Sequence, residues 1–327
     1  MDERRPIGDS GIEVAPLALG GNVFDWTADE ATSFAILDAF VDSGGAMIDT
    51  ADVYSAWVPG HKGGESEALI GRWLKRDSSK RHKVVIATKV GFLDGQVVDG
   101  EYVAALDPAV VVRACEASLN RLGVETIDLY YQHKDNEDVP LADSLGAFET
   151  LRQQGKIRAV GLSQFTADRL EEAIATARRC GYMPATALQP WYNLVERERF
   201  ESELRGAAIG NGLAVFPFYG LANGFLTGKY RSKNDIGKSV RGPRVVIYLE
   251  GRGMPVLEAL DAISTETGAA LSTIALAWLM AQPGVTAPIA SATSVDQLKE
   301  LTAAMHLTLT LDQIARLDTA SAEAVPA

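Results

Sequence analysis

The chain has 327 residues, a formal net charge of −12 and 47% hydrophobic residues. This apolar content excludes a disordered chain, and the negative charge disfavours general binding to nucleic-acid phosphates. No apolar run reaches the ~20 residues of a membrane-spanning helix, and the first five residues (MDERR) lack the apolar core of a secretion signal. The two cysteines, Cys115 and Cys180, are far apart in the chain. We therefore expect a cytoplasmic protein whose thiols are reduced.

Short apolar runs alternate with helical segments along the whole chain. A β-strand with its crossover helix takes roughly thirty residues, and the first seven runs keep about this spacing. Only the gap before the eighth run is longer. The runs centre near Ala18, Ile48, Ile86, Tyr130, Gly161, Leu188, Val215 and Ala287. Eight such units predict one (β/α)8 TIM barrel of parallel strands, with residues 1–327 as a single domain.

Helix boundaries are marked by capping residues and glycines. The pattern predicts helices over residues 29–41, 108–122, 141–154 and 166–180. Asp107 and Thr166 stand where a side chain would cap the first turn of the second and fourth of these helices. Gly123, Gly155 and Gly181 follow the last turns of the later three, as is typical of helix C-termini.

Two segments depart from the repeating unit. Residues 4–16 contain IGDSGIEV, a turn between two short extended pieces, which predicts a hairpin on the floor of the barrel. The glycine-rich residues 218–253 lie in the gap between the seventh and eighth runs, where we expect a long functional loop after strand 7. Two more helices are predicted beyond this loop, near 255–267 and 271–281.

Ionisable residues follow the apolar runs where a parallel barrel gathers its chemistry, at the carboxyl ends of its strands. Asp49, Lys89 and His133 end the second, third and fourth runs, and Tyr54 follows Asp49 in the next loop. Each residue alone is common at a strand end. Together they suit carbonyl reduction. An ammonium would lower the phenol's pKa from about 10, and a carboxylate would keep that ammonium charged. A histidine would orient the substrate oxygen.

Several long motifs occur in one order along nearly the whole chain. They include IDTADVYSAWVPGHKGGESEALIGRWL (48–74), VVIATKVG (84–91), the stretch 127–165, LQPWYNLVER (188–197) and FPFYGLANGFLTGKYR (216–231). With these motifs the chain resembles the aldo-keto reductases, in particular bacterial members similar to potassium-channel β-subunits.

This resemblance implies a reaction and a catalytic set. The family tetrad falls on Asp49, Tyr54, Lys89 and His133. Tyr54 would be the general acid, assisted by Lys89 and Asp49, and His133 would orient the carbonyl. The reaction would be the reversible reduction of an aldehyde or ketone to an alcohol by hydride transfer from NADPH.

The cofactor site also rests on the resemblance, because no G-x-G-x-x-G or P-loop motif occurs. Ser163, Gln164 and Gln189 would hold the carboxamide, although Gln164 replaces the usual asparagine, and Phe218 would stack on the nicotinamide. The resemblance implies further cofactor residues, beside Asp49, in three groups. Close to the nicotinamide ribose would lie Gly20, Gly21 and Asn22. In the loop that would wrap the diphosphate are Tyr219, Leu221, Gly224, Thr227 and Lys229, and in the turn that binds the adenosine 2′-phosphate in many relatives are Ser291, Thr293, Gln297 and Glu300. This turn has no basic residue before Lys299. The preference for NADPH should therefore soften, and we expect NADPH use with NADH also accepted.

Aromatic residues in the loops after the strands predict the substrate pocket. They are Phe24, Trp26, Trp57 and Trp191, beside Tyr54. An aromatic wall next to a hydride donor suits an apolar or a sugar-like carbonyl compound. The predicted partner is thus a small-molecule carbonyl or alcohol, with no nucleic acid and no membrane, and the chain would be a monomer or small homo-oligomer.

Two other functions compete with that of a reductase. A nicotinamide-binding regulatory or partner module with little turnover would keep the same four residues, so the tetrad does not separate it from an enzyme. A metal-dependent barrel hydrolase is disfavoured, because the four histidines form no H-x-H or H-E-x-x-H motif.

Overall fold

The strands of the main sheet lie side by side in the order in which they occur in the chain, except where the last strand meets the first. The structure, a computed structural model, describes residues 3–98 and 101–322. Within these residues one sheet holds eight parallel strands in chain order, and the eighth lies beside the first. The barrel closes where Val215 bridges Val285 and where the N–H of Ile289 donates to the carbonyl of Pro217 (2.8 Å). The barrel strands are Ala18–Gly20, Met47–Asp49, Val85–Val90, Ile127–Gln132, Ile157–Ser163, Ala187–Gln189, Ala214–Val215 and Ile289–Ala290. This confirms the predicted (β/α)8 barrel.

Helices flank the barrel, and every predicted helix occurs with bounds within one residue of the prediction. The helices of the described residues are Glu30–Asp42, Glu65–Arg76, Pro108–Leu122, Leu141–Gln153, Ala167–Cys180, Glu198–Glu201, Leu204–Gly210, Met254–Thr267, Leu271–Met280, Val295–Ala303 and Leu311–Ala322. An antiparallel hairpin that the sequence did not predict, Gln96–Val98 with Glu101–Val103, follows the third barrel strand. No helix in 3–98 or 101–322 is both long and apolar enough to cross a membrane.

The helix ends show which capping predictions were right. The Thr166 hydroxyl accepts a hydrogen bond from the N–H of Arg169 (3.3 Å), and Gly181 is left-handed at φ +70°. The Asp107 side chain makes no capping bond, so this prediction was wrong. The N–H of Val110, which such a cap would bind, donates instead to the backbone carbonyl of Asp107 (2.9 Å).

The N-terminal hairpin covers the amino ends of the strands, as predicted. Arg5–Pro6 pairs with Glu13–Val14 in antiparallel register. The Arg5 guanidinium donates to the carbonyls of Val285 (3.3 Å) and Thr286 (3.0 Å), just before the eighth strand. Val14 is fully buried and packs in the apolar cluster of the barrel interior. The opposite end of the barrel is therefore the open one.

Strand alternation decides which residues face that open end. Met47 and Ala87 belong to the apolar cluster inside the barrel, whereas Ile48 belongs to the core between sheet and helices. Successive side chains of a strand point to opposite faces. Asp49 and Lys89 therefore lie on the interior side, one step beyond Met47 and Ala87 towards the carboxyl ends.

The predicted long loop after the seventh strand is present and packed. It contains short helical turns at Ala222–Thr227, Lys233–Lys238, Gly242–Val245 and Tyr248–Arg252. Its apolar side chains Phe225, Leu226, Tyr230 and Val245 are fully buried. At Gly242 a Cβ would stand 1.6 Å from the Ile236 carbonyl oxygen, so only glycine allows this close crossing. The loop is thus a packed structural element of the barrel mouth.

Candidate active site

A buried ammonium group lies at the centre of the open barrel end. The Nζ of Lys89 donates to Asp49 Oδ2 (2.6 Å), to the carbonyl of Thr50 (2.8 Å) and to the Tyr54 hydroxyl (3.2 Å). Lys89 has no exposed surface. Burial by itself lowers a lysine pKa, but the charge of Asp49 and the hydrogen bonds to Asp49 and Tyr54 outweigh it, and the pKa of Lys89 is raised. The ammonium is therefore charged and connects the carboxylate to the phenol.

Both carboxylate oxygens of Asp49 have donors. Lys89 donates to Oδ2, and the Gln189 side-chain amide donates to Oδ1 (2.9 Å) from the sixth barrel strand. Asp49 is only 2% exposed, so these bonds replace water around its charge. This fixes the side chain that in turn orients Lys89. The structure thus places Gln189 beside the tetrad.

The phenol of Tyr54 differs from the sequence expectation in its acidity. Burial raises its pKa, and the charge of Lys89 offsets only part of that rise. The predicted net lowering of the pKa is therefore wrong for the protein without ligand, because desolvation of the phenolate outweighs the neighbouring ammonium. The phenol is protonated at neutral pH and is available as a proton donor.

His133 lies beside the phenol as a neutral imidazole. Its ring centroid is 6.0 Å from that of Tyr54 and 4.4 Å from that of Phe92. Burial, and secondly the charge of Lys89, hold the pKa of His133 well below its usual value. Its Nδ1 is buried and has no hydrogen-bond partner in the described part of the chain. The structure thus brings all four predicted tetrad residues together at one mouth.

Aromatic rings form part of the rim of this mouth. The Trp57 ring is 5.8 Å from the Tyr54 ring and 5.4 Å from the Trp26 ring, and 47% of Trp57 is exposed. Trp191 packs against Tyr219, with ring centroids 4.4 Å apart, and its indole Nε1 is buried without a partner among the described residues. These positions agree with a pocket wall on two sides.

Phe24 does not line the mouth, contrary to the sequence expectation. It is fully buried in the core between sheet and helices. Its backbone carbonyl accepts a hydrogen bond from Ser55 (3.0 Å), and its ring lies 3.2 Å from where a Cβ on Gly21 would stand. The ring packs among the apolar side chains of this core and has no exposed surface to offer a substrate.

The predicted carboxamide residues already bond to their neighbours. The Ser163 hydroxyl donates to the carbonyl of Gln189 (3.0 Å), and the Gln164 side-chain amide donates to the carbonyl of His133 (3.0 Å). Phe218 forms an isolated backbone β-bridge with Trp191, and the centroids of their rings are 5.6 Å apart. All of these residues lie at the carboxyl ends of strands four to seven, next to the tetrad.

The ends of the first and last strands are joined at the other side of the mouth. The Ser291 hydroxyl donates to Asn22 Oδ1 (2.8 Å), and it lies 2.5 Å from where a Cβ on Gly20 would stand. Only glycine therefore leaves room for this contact. The predicted ribose segment and the last turn thus form one continuous surface.

The loop predicted to wrap a diphosphate has a strained start. Tyr219, Ala222 and Asn223 all have positive φ values, from +47° to +57°, which non-glycine residues rarely adopt. Lys229 Nζ lies 3.1 Å from where a Cβ on Gly224 would stand, so Gly224 leaves space for the ammonium. An exposed lysine beside such a backbone fits a diphosphate group. The other two predicted members also lie here: Leu221 precedes the turn, and the Thr227 hydroxyl donates to the Gly224 carbonyl (2.8 Å).

The predicted 2′-phosphate turn carries hydroxyls and amides rather than cations. Gln297 Oε1 accepts hydrogen bonds from the N–H (2.9 Å) and hydroxyl (3.0 Å) of Thr293. Ser294 caps the helix Val295–Ala303 by accepting from the N–H of Gln297 (3.2 Å). Glu300 is turned away, since its carboxylate accepts from Ser272 in a neighbouring helix (2.9 Å). The Glu300 side chain is thus held by a contact between two helices and does not join Thr293 and Gln297 in the turn.

Two features of the site region were missed by the sequence reasoning. Arg241, in the long loop, stands over the Trp26 ring at 5.5 Å. Glu67 is fully buried behind the third strand, where it accepts from Thr88 (2.5 Å) and from Arg121 (2.6 Å). The available signal for Glu67 was a charged residue on the otherwise apolar face of its helix. No sequence signal separated Arg241 from the other basic residues of its loop.

Comparisons with known proteins agree with this geometry. A family model described as "Aldo/keto reductase family" matches residues 16–322. The chain is 34% identical over 304 residues to "Uncharacterized oxidoreductase YrpG" of Bacillus subtilis (strain 168), covering 93% of this chain and 91% of the relative. It is 29% identical over 287 residues to "Aldo-keto reductase yakc [NADP(+)]" of Schizosaccharomyces pombe, covering 86% and 80%.

Proposed function

The chain belongs to the aldo/keto reductase family, and on this premise we propose that it is an NADPH-dependent reductase that reversibly converts an aldehyde or ketone to an alcohol. One observation carries the proposal. A single buried ammonium, that of Lys89, contacts both the Asp49 carboxylate and the Tyr54 phenol. A buried ion pair that only stabilised the fold would not need a protonated phenol hydrogen-bonded to its ammonium at the open mouth of the barrel.

The tetrad supplies proton transfer and orientation. Tyr54 donates its proton to the oxygen that becomes the alcohol, and the Lys89 ammonium stabilises the resulting phenolate. Asp49 keeps Lys89 charged and in place. His133, being neutral, donates a hydrogen bond to the substrate oxygen and so fixes the carbonyl beside the phenol. The nicotinamide, when bound, supplies the hydride.

The residues around the mouth fit that cofactor. Lys229 and the backbone around Gly224 would hold the diphosphate, Phe218 would stack on the nicotinamide, and Ser163 with Gln164 would bind the carboxamide. The NADP(+) in the name of the fission-yeast relative supports NADPH as the partner. The turn at Thr293 lacks a guanidinium, which supports some use of NADH as well.

The test is a screen of the purified chain against aliphatic, aromatic and sugar-derived carbonyl compounds, followed by loss of NADPH absorbance. Tryptophan fluorescence is titrated with NADPH in parallel, because Trp26, Trp57 and Trp191 surround the mouth. We expect quenching on binding and turnover of at least one carbonyl class. Quenching without turnover on any compound would overturn the reductase and leave the nicotinamide-binding module. A flat titration would contradict the cofactor site itself.

A further inference from the structure

A tyrosine hydroxyl lies in the barrel interior next to the tetrad. Tyr131, on the fourth barrel strand, is fully buried and belongs to the apolar cluster inside the barrel. It pairs in register with Lys89 on the third strand and with Gly161 on the fifth. Residues that pair directly across neighbouring strands share a face of the sheet. Tyr131 and Lys89 therefore both project into the interior.

Gly161 gives the Tyr131 ring room to extend towards the sixth strand. A Cβ on Gly161 would stand 2.3 Å from the ring carbons Cδ1 and Cε1 of Tyr131, so only glycine leaves space for the ring there. Gly161 pairs in turn with Ala187, two residues before Gln189 on the sixth strand. The ring thus fills the side-chain position of the fifth strand, and its hydroxyl lies close to the Gln189 side chain.

This hydroxyl has no hydrogen-bond partner of good geometry within residues 3–98 and 101–322. Burial raises the pKa of Tyr131 well above its usual value, the charge of Asp49 adds to that rise, and the Gln189 side chain offsets part of it. The phenol is therefore protonated and stands as an unused donor beside both Asp49 and Gln189. An unpaired buried hydroxyl costs free energy, and a phenylalanine would fill the same space without that cost.

The neighbouring Tyr130 shows that an unpaired hydroxyl alone is not enough for a role at the site. Its hydroxyl is also buried without a partner in the described part of the chain. Tyr130 faces the opposite way, however, and its ring packs against Phe148 in the core between sheet and helices, with centroids 5.2 Å apart. The ionisable groups near it lie outside the tetrad, and they are Cys115, Asp52, Glu67 and Arg121. Only Tyr131 has its hydroxyl beside Asp49.

Two groups compete for the side-chain amide of Gln189. In the free protein this amide donates to Asp49 Oδ1 (2.9 Å). In the proposed reductase it would also hold the carboxamide of the nicotinamide. If the amide turns to the cofactor, the buried Asp49 loses one of its two side-chain donors, and an unpaired acceptor of this kind is costly.

We propose that Tyr131 is a positioning residue, which replaces Gln189 as the donor to Asp49 when the Gln189 amide binds the cofactor carboxamide. Asp49 would then stay fixed, and with it the Lys89 ammonium that contacts the proton donor Tyr54. This inference rests on the proposed reductase function, because that function assigns Gln189 to the carboxamide.

The first test needs no cofactor and measures the urea midpoint of unfolding in two backgrounds. In the unmodified chain Tyr131→Phe breaks no hydrogen bond and should leave the midpoint unchanged or raise it. In the Gln189→Leu background Tyr131 is the remaining donor to Asp49. There Tyr131→Phe should lower the midpoint by about 0.5 M or more relative to its effect in the unmodified chain, as expected for a hydrogen bond to a charged group. Equal effects in the two backgrounds, or a smaller loss in the second, overturn the proposal.

Tyr130→Phe is the matched control. It removes an equally buried and equally unpaired hydroxyl from the adjacent residue on the opposite face of the strand. Its effect on the midpoint should be the same with Gln189 and with Gln189→Leu. A difference as large as that of Tyr131→Phe would indicate a general weakening of the strand and contradict the specific role of Tyr131.

NADPH affinity, measured by tryptophan quenching, is the second test and uses single variants only. It therefore decides the inference even where Gln189→Leu does not fold. Tyr131→Phe should weaken NADPH binding by about tenfold, because Asp49 would lose a donor on binding, and Tyr130→Phe should leave it unchanged. Unchanged binding by Tyr131→Phe, or equal weakening by both variants, overturns the proposal.

The two measurements also separate this inference from the reductase proposal. If the unmodified chain binds NADPH but reduces no carbonyl compound, the reductase proposal fails, while the midpoint and binding comparisons still decide the role of Tyr131. If the chain binds NADPH and turns over a carbonyl but Tyr131→Phe behaves as Tyr130→Phe does, only the inference fails. A flat NADPH titration of the unmodified chain overturns both.

Discussion

Two buried clusters of charge lie on opposite faces of the third barrel strand. On the inner face, the Lys89 ammonium contacts the Asp49 carboxylate. On the outer face, Glu67 accepts from Thr88 and pairs with Arg121 (2.6 Å), while the nearby carboxyl of Asp52 has a buried Oδ1 without a partner among the described residues. The carboxyl groups of both clusters are buried, but only the inner cluster lies at the barrel mouth.

The difference between them is the balance of charge. The inner cluster pairs one carboxyl group with one ammonium, whose pKa is raised by that pairing in spite of its burial. The outer cluster has two carboxyls for one guanidinium. Burial, and secondly the charge of Glu67, raise the pKa of Asp52 to about 8, so this carboxyl keeps its proton at neutral pH. A desolvated site therefore tolerates charge only in matched numbers, and the surplus carboxyl is neutralised by a proton.

Breaking the balance of the inner cluster should have the largest effect. Lys89→Met leaves the buried Asp49 carboxylate without its cation, and we expect a loss of about 3–5 kcal/mol in the free energy of unfolding together with almost complete loss of carbonyl turnover. Urea unfolding and the NADPH absorbance assay measure the two effects. Arg121→Met is the control, since it removes the cation of the outer cluster. It should lower stability but retain turnover, and equal inactivation by both changes would contradict the assigned role of Lys89.

Removing only the Tyr54 hydroxyl separates an effect on turnover from an effect on the stability of the fold. Tyr54→Phe keeps the ring and the Asp49–Lys89 pair but takes away the proton that the reaction needs. Turnover should fall by at least about 10²-fold, which is typical for loss of a general acid. NADPH binding, measured by tryptophan quenching, should persist. Turnover close to that of the unmodified chain would exclude Tyr54 as the proton donor.

The outer cluster should make stability depend on pH. The folded state keeps a proton on Asp52 up to about pH 8, whereas the unfolded chain loses it near pH 4. The folded state thus binds more protons between these values, and its stability falls as pH rises through that window. Asp52→Asn, which mimics the protonated form, should flatten this slope and stabilise the protein by about 1–3 kcal/mol at pH 8. Denaturant unfolding at pH 5 and pH 8 measures it, and an equal slope in both proteins would refute the assigned proton.

The smallest expected effect is the preference between NADPH and NADH, which depends on the turn at Thr293. This turn carries neither kind of charge cluster. Its hydroxyls and amides lack the strong attraction of a guanidinium for phosphate. We expect NADPH to be preferred over NADH by no more than about tenfold in kcat/KM, which is ~1.4 kcal/mol. Steady-state kinetics with both cofactors and one carbonyl substrate measure this ratio. A preference for NADH above about tenfold would overturn the choice of NADPH.

The barrel and the position of the tetrad could be predicted because both depend on local patterns. Apolar runs at thirty-residue intervals give parallel units, and alternation along each strand brings Asp49 and Lys89 to one face. Glycines after the helices, such as Gly181, mark their ends. The Asp107 cap failed because a backbone carbonyl competed for the same donor, which no residue type reveals.

The sequence by itself therefore determined the order of the elements, the barrel and which residue types end its strands, since these follow from period, spacing and turn chemistry. Only the tertiary structure decided the acidity of Tyr54, the proton on Asp52, the burial of Phe24 and the approach of Arg241 to Trp26. Desolvation and charge act through space from every surrounding element. They depend on which distant parts of the chain meet at one point, and this is set only when the barrel closes.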